Sequence, residues 1–259
     1  MEVYRTQRRG GRGISGVARK DEDFVEDMFI TSTHDYVLFF TNRGKMYRMK
    51  GYEIPETGRA ARGSHVVNLL PIEKDEKISA MIRVDEVEND SYLVMVTRNG
   101  TIKRTALSAY RNVRKGGIIA INLEEGDELA WVRNTTGEDD LIIATRQGVA
   151  IRFAESDVRP MGRTATGVRA IRLDEGDEVI AMATCEEGGY LLTVTENGQG
   201  RRTPLEEYRT QNRGGRGVRN YDCEGKNTLV AGVRVVGEED DVILIADDGI
   251  IILSLIHIS

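Results

Sequence analysis

Cysteine, histidine and proline are scarce in this chain of 259 residues, with 2, 3 and 4 of each. Cys185 and Cys223 have no metal-ligand spacing and make no disulfide framework. Reduced cytosol, with both thiols as ordinary buried or half-buried residues, is the expectation. His34, His65 and His257 are scattered without paired ligand spacing, and no Gly-x4-Gly-Lys-Ser/Thr phosphate loop occurs, so no catalytic constellation is read. Aromatic residues amount to 6%, and Trp131 and the tyrosines read as packing residues of strands and turns. The longest apolar run, Ile250 to Ile258, is broken by Ser254 and His257 and is too short to span a bilayer. No charged segment followed by an apolar one opens the chain as a secretion signal would.

A net charge of -6 argues against a uniformly cationic nucleic-acid binder. The distribution is more informative than the sum. Arg5, Arg8, Arg9, Arg12, Arg19 and Lys20 crowd the first twenty residues, whereas acidic runs recur at 21–23, 73–76, 124–128, 138–140, 174–178 and 238–241. A charge run is ordinarily a solvated loop, but segregation that repeats with a period predicts a basic track and an acidic remainder.

The period is carried by a box. Tyr4 to Gly13 reads Tyr-Arg-Thr-Gln-Arg-Arg-Gly-Gly-Arg-Gly and returns at Tyr208 to Gly217 with Asn212 in place of Arg8. The two copies lie 204 residues apart, about four periods of roughly 50 residues, as in stacked or radial repeat architectures. Five apolar strands, beginning at Tyr36, Tyr92, Leu141, Tyr190 and Val242, each run into a short polar turn that ends in Gly44, Gly100, Gly148, Gly198 or Gly249. Glycine there supplies the positive φ of a hairpin corner. Four residues later stands Arg48, Arg104, Arg152 or Arg202, on equivalent surfaces of successive units by strand alternation.

Each unit then carries a Gly/Arg loop: Gly58 to Gly63 with Arg59 and Arg62, Arg114-Lys115-Gly116-Gly117, Gly162 to Gly167 with Arg163, and the box copy with Arg213 and Arg216. A third strand (Val66 to Leu70, Ile118 to Leu123, Val168 to Leu173), an acidic turn and a fourth strand follow. Four short strands per unit without helical periodicity predict an all-β, propeller-like wheel of four-stranded blades. Residues 1–252 are expected to form one such domain of five periods, with the first and last blades truncated. Residues 253–259 match no other unit and are expected to be a foreign tail.

Chemically, Arg8, Arg9 and Arg12 concentrate charge while Gly10, Gly11 and Gly13 let backbone lie close to a ligand. Phosphate is the natural partner of such a box, with Gln7 adding a neutral hydrogen bond. With no base-reading helix visible, the contacts should position a nucleic-acid backbone and not read sequence. Gly11, Gly13 and Gly16 also spell GxGxxG, but no strand-to-helix unit surrounds them, as a dinucleotide site requires.

Gln7-Arg8-Arg9-Gly10-Gly11-Arg12-Gly13 resembles the signature box of the C-terminal domain of the A subunit of bacterial DNA gyrase. Glu22 to Glu26, Phe39 to Gly44, Gly116 to Leu123 and Ser156 to Gly167 support the resemblance. It implies a six-bladed β-pinwheel whose blades exchange strands and whose basic edge wraps double-stranded DNA. It also implies, as partners, the gyrase B subunit together with the N-terminal region of the gyrase A subunit, in an A2B2 holoenzyme that introduces negative supercoils. ATP and Mg2+ would be bound by other domains, with no cofactor or metal in this chain. The DNA-binding residues so expected are Gln7, Arg8, Arg9, Gly10, Gly11, Arg12 and Gly13, then Arg48, Arg59, Arg62, Arg104, Arg114, Lys115, Arg152, Arg163, Arg202, Arg213 and Arg216. Three alternatives stay open: the C-terminal domain of the topoisomerase IV A subunit, which typically lacks an intact box; a protein-interaction propeller indifferent to DNA; and a stand-alone propeller enzyme.

Overall fold

The computed structural model describes residues 14–15, 31–56, 64–85, 90–186, 188–226, 228–238, 240–245 and 250–255. Two-residue strand β1 (Ile14–Ser15) comes first. The hairpin β2 (Tyr36–Thr41) and β3 (Lys45–Lys50) follows, then β4 (Ile78–Val84). The next unit holds hairpin β5 (Tyr92–Thr97) and β6 (Thr101–Ala106), the short strand β7 (Ile118–Ile119) and β8 (Leu129–Thr135). The pattern repeats in β9 (Asp140–Thr145), β10 (Val149–Ala154), β11 (Val168–Arg169) and β12 (Val179–Thr184). It repeats again in β13 (Tyr190–Thr195), β14 (Gly200–Pro204), β15 (Val218–Arg219) and β16 (Val230–Val236). A last hairpin joins β17 (Asp241–Ile245) to β18 (Ile250–Leu255), so the strand runs on through residues 253–255.

The sheets are built across units. Their orders are β4-β2-β3-β7, β8-β5-β6-β11 and β12-β9-β10-β15, so each short strand completes the preceding blade. β14-β13-β16 and β1-β18-β17 are three-stranded, and β1 joins the chain's last described hairpin through Ile14 opposite Ile251. Successive fourth strands touch: β4 on β8, β8 on β12, β12 on β16. That edge of each sheet therefore faces the axis, and the exchanged strand lies at the outer edge. The expected all-β wheel of blades is what the chain forms.

The core lies between blades, as radial repetition requires. Val94, Val96 and Ile102 of one sheet pack with Leu141, Ile143, Ile151 and Phe153 of the next, with Trp131 partly buried against them. Leu38, Phe40 and Met46 meet Leu93, Met95 and Val132 in the same way. Cys223 is buried and Cys185 half-buried, both as free thiols.

Two local expectations are corrected. The third strands are two residues long, and Val66–Asn68 is a 3-10 turn. After Ile119 the chain turns inward, and Ala120 and Ile121 both donate to Gly44 O. Gly44 (φ +74) has no room for a side chain: a Cβ there would lie 2.5 Å from Ile121 O. The hairpin glycine thus serves as the seat of the next unit as well as a turn.

Candidate nucleic-acid interface

The basic loops are excursions of the outer edge. In the third unit Pro160 bridges to Arg104, the chain leaves at Met161, and Val168 returns opposite Ile102. Thr210 and Val218 stand likewise opposite Arg152 and Ala150. The two feet of each loop are therefore two strand residues apart, about 7 Å, and the residues between them project outward. Gly167 (φ +112) and Gly217 (φ +74) close the loops where a Cβ would lie 2.5 Å from Ile102 O and Ala150 O. Only glycine allows that approach.

Neighbouring loops are stitched into a belt. Asn122 donates through its backbone N to Ala165 O and through Nδ2 to Thr164 O, at 3.3 and 2.6 Å. Gly214 N donates to Ala170 O at 2.6 Å and Arg172 N to Gly215 O at 2.8 Å. Arg213 donates from Nε to Asp157 O and from Nη1 to Arg169 O, at 2.9 and 3.0 Å. An open groove at this seam is lined by Ala154, Asp157, Arg209, Thr210, Gln211 and Asn212.

The structure sorts the expected residues into groups. Arg114, Lys115 and Arg216 are exposed on the loops, Arg216 lying 3.9 Å from an equally exposed Asp174. Arg163 and Arg213 are half-buried, and Arg213 is engaged in pinning its own loop. The arginines four residues after the turn glycine do occupy equivalent positions, but those positions face the neighbouring blade. Arg48 Nη1 donates to Arg111 O and Arg152 Nη1 to Leu205 O, both in the following unit. Arg104 is buried, with Glu155 of the following unit 3.8 Å away. Arg48, Arg104 and Arg202 also lie over the rings of Tyr36, Tyr92 and Tyr190 at 4.6, 4.8 and 4.3 Å. Gln7 to Gly13, Arg59 and Arg62 lie outside the described residues.

Exposed arginines that the sequence reading left out frame the loops. Arg111, Arg159 and Arg209 each lead into a loop just past a 3-10 turn, and Arg169 and Arg219 follow its far foot. The signal was present as a periodic residue at matched positions. Periodicity alone does not say which arginine points outward.

The acidic runs 73–76, 124–128 and 174–178 gather at the hairpin-turn end of the wheel, whereas 138–140 leads into β9 at the opposite end. Asp127 and Asp177 accept the backbone N–H of Asn99 and Gln147 in the turns, at 3.0 and 2.9 Å. A polar ladder crosses the blades there: Asn42 to Glu128 (3.1 Å), Glu128 to Arg98 (3.4 Å), Arg98 to Glu178 (3.9 Å), Glu178 to Arg146 (3.2 Å) and Arg146 to Glu196 (2.6 Å). Hydrogen bonds to Glu178 and Glu196 push the Arg146 guanidinium further up. Beneath the outer edge, the buried Lys103 ammonium donates to Ala120 O and Arg163 O. Burial, with the Arg163 charge nearby, pulls its pKa down to about 8. Among the described residues no helix is long and apolar enough to cross a membrane, and no group of three or more His, Cys, Asp or Glu is placed to hold a metal ion.

The family model described as DNA gyrase C-terminal domain, beta-propeller, matches residues 2–32, 35–85, 91–136, 139–186 and 189–237. The DNA gyrase A subunit of Clostridium acetobutylicum is 56% identical over 168 residues, 65% of this chain and 20% of that protein. Its Staphylococcus aureus counterpart is 49% identical over 170 residues, 65% of this chain and 19% of that protein. The chain thus spans about a fifth of the length of these relatives. A crystal structure of the C-terminal domain of DNA topoisomerase IV superposes with a TM-score of 0.77 at 29% identity, covering 86% of this chain and 70% of that one. A structure of DNA gyrase A C-terminal domain gives 0.76 at 24% identity over 98% and 83%, a likeness of fold. With five successive repeats matched and their sheets arranged as blades, this chain belongs to the DNA gyrase C-terminal domain family.

Proposed function

We propose that this chain binds duplex DNA without sequence preference and wraps it along the outer edge of the wheel, as part of a gyrase A subunit. The observation that carries the reading is the belt: the described Gly/Arg loops stand on the outer edge, those at 162–167 and 211–217 are tied to the unit before them, and the acidic turns at 124–128 and 174–178 share a different end. Bending 20 to 30 base pairs through 40 to 90° costs about 1 to 6 kcal/mol, so contacts have to be distributed along the curve. A cationic cluster on every blade meets that requirement. The box Gln7 to Gly13 is assigned to the same track because its copy, Gln211 to Gly217, is the outer loop of the last complete unit.

In this reading the supercoiling reaction belongs to the holoenzyme. ATP and Mg2+ are bound by its other domains. The partners of this chain are DNA, the gyrase B subunit, plus the N-terminal region of the gyrase A subunit.

Relaxing closed circular plasmid with a nicking-closing enzyme, while this protein is titrated in at low salt, tests the reading. A change in linking number that disappears with added salt and in the R8A/R9A/R12A variant is expected, since each phosphate contact releases counterions. Binding without a linking change would overturn wrapping, and no binding at all would favour a protein-interaction propeller.

A further inference from the structure

The loop and hairpin arginines divide by what their guanidinium groups already hold. Arg213 donates to two backbone carbonyls, and Arg152 to Asp140 and to Leu205 O. Arg104 is enclosed between two blades. These side chains fix the belt's shape, and their donors are directed into protein. The arginines at the feet of the loops differ. Arg159 and Arg209 stand just before the first foot of two successive loops, at Pro160 and Thr210, and Arg169 and Arg219 just after the second, beside Val168 and Val218. All four are exposed; Arg219, at 75%, has Asp222 3.8 Å away across open solvent. Fifty residues separate Arg159 from Arg209, and fifty separate Arg169 from Arg219. The pairs are therefore copies of one another on adjacent blades.

We infer that these paired foot arginines grip the phosphodiester backbone, one pair at each of these two successive blade seams, and that the loop between them adds backbone approach and further charge. The inference rests on the proposed DNA binding and assigns its contacts. Each strand of duplex DNA carries one charge per about 3.4 Å of axis, so feet about 7 Å apart span roughly two phosphates of one strand. Guanidinium groups match phosphate with a bidentate fork. In the preceding unit Arg111 stands at the first foot and Ile119, exposed, beside the second.

The test is fluorescence titration of a labelled duplex with the full chain from 50 to 200 mM salt. It compares wild type, R159A/R169A/R209A/R219A, the same four positions changed to lysine, and R213A. The slope of log K against log salt should fall by about 3 to 4 in the four-alanine variant, return in the four-lysine variant, and change by less than about 1 in R213A. An unchanged slope in the four-alanine variant, with wild type binding DNA, would overturn the assignment and leave DNA binding standing. A loss with R213A as large as that of the four-alanine variant would overturn it too. Wild type that fails to bind would instead overturn the reading on which it rests. If the alanine variant fails to fold, the lysine variant decides: a slope below wild type by 3 or more contradicts a grip that depends on charge.

Discussion

Arg104 and Glu155 lie 3.8 Å apart across the seam between two blades, with side chains 9% and 0% exposed. The carboxylate also accepts from Thr135 Oγ1 at 2.6 Å and from Gly137 N at 3.1 Å, and Arg104 Nη1 donates to Gly137 O at 3.0 Å. Removing one partner of such a buried pair strands the other charge. Arg104→Ala is expected to destabilise by about 3 kcal/mol, lowering Tm by roughly 6 to 12 °C. Thermal and urea unfolding would check this. A shift no larger than that of a surface substitution would contradict the clamp.

The hairpin glycines predict an asymmetry among substitutions. A Cβ on Gly148 (φ +86) would stand 2.4 Å from Tyr221 O, whereas a Cβ on Gly162 meets nothing within 4 Å and that residue's φ is ordinary. Gly148→Ala therefore combines left-handed strain of about 1 to 2 kcal/mol with a backbone clash, for a total of roughly 3 kcal/mol or more. Gly162→Ala should be neutral or slightly stabilising. Denaturant midpoints of the two variants are the comparison.

Lys103 predicts a pH dependence of defined sign. Its folded pKa, about 8, lies below its ordinary value of 10.5. Between these the unfolded chain holds a proton that the folded chain has released, so this group makes stability rise with pH from about 8 to 10.5. Tyr110, raised to about 12 by burial, and Cys185, raised to about 11, act in the opposite sense at the alkaline end. The effect is therefore read as the difference between wild type and Lys103→Met, in urea midpoints at pH 7.5 and 9.5. That difference should shift in favour of wild type as pH rises. A difference independent of pH would contradict it.

The ladder at the hairpin-turn end should contribute little. Arg146, Glu178 and Glu196 are 42%, 31% and 46% exposed, and exposed pairs are worth about 0 to 1 kcal/mol. Arg146→Ala is expected to cost less than about 1 kcal/mol at low salt and close to nothing in 1 M salt, where the screening length is about 3 Å. A large, salt-independent loss would mean that the ladder is a structural spine.

The wheel was legible because its strongest signals are local. A polar turn ending in glycine, repeated about every 50 residues, predicts hairpins whatever surrounds them, and those hairpins are present. What failed was non-local. Ile118 to Leu123 is an apolar run that reads as a strand, yet Ala120 and Ile121 are drawn to Gly44 O of another unit after two residues of pairing. Apolar content alone does not separate a strand from a segment wedged between blades. The helix Cys223–Lys226 is four residues long, too short to leave a periodic trace. Among the arginines, Arg104 and Arg114 are the same residue type ten positions apart, and only the neighbouring blade decides that one is buried and the other exposed.

The strand exchange also sets a timetable for synthesis. Lys45 begins the outer strand of its hairpin, and its partner Ile119 lies 74 residues later in the chain. Each of the three four-stranded blades therefore leaves the ribosome with a bare edge and keeps it until most of the following unit has been made. At about 5 to 20 residues per second that interval is roughly 4 to 15 s. Those three hairpins pass through a period in which any extended segment could pair in place of the successor. The turn glycines, whose carbonyls accept the successor's backbone N–H groups, hold that partner once it has arrived.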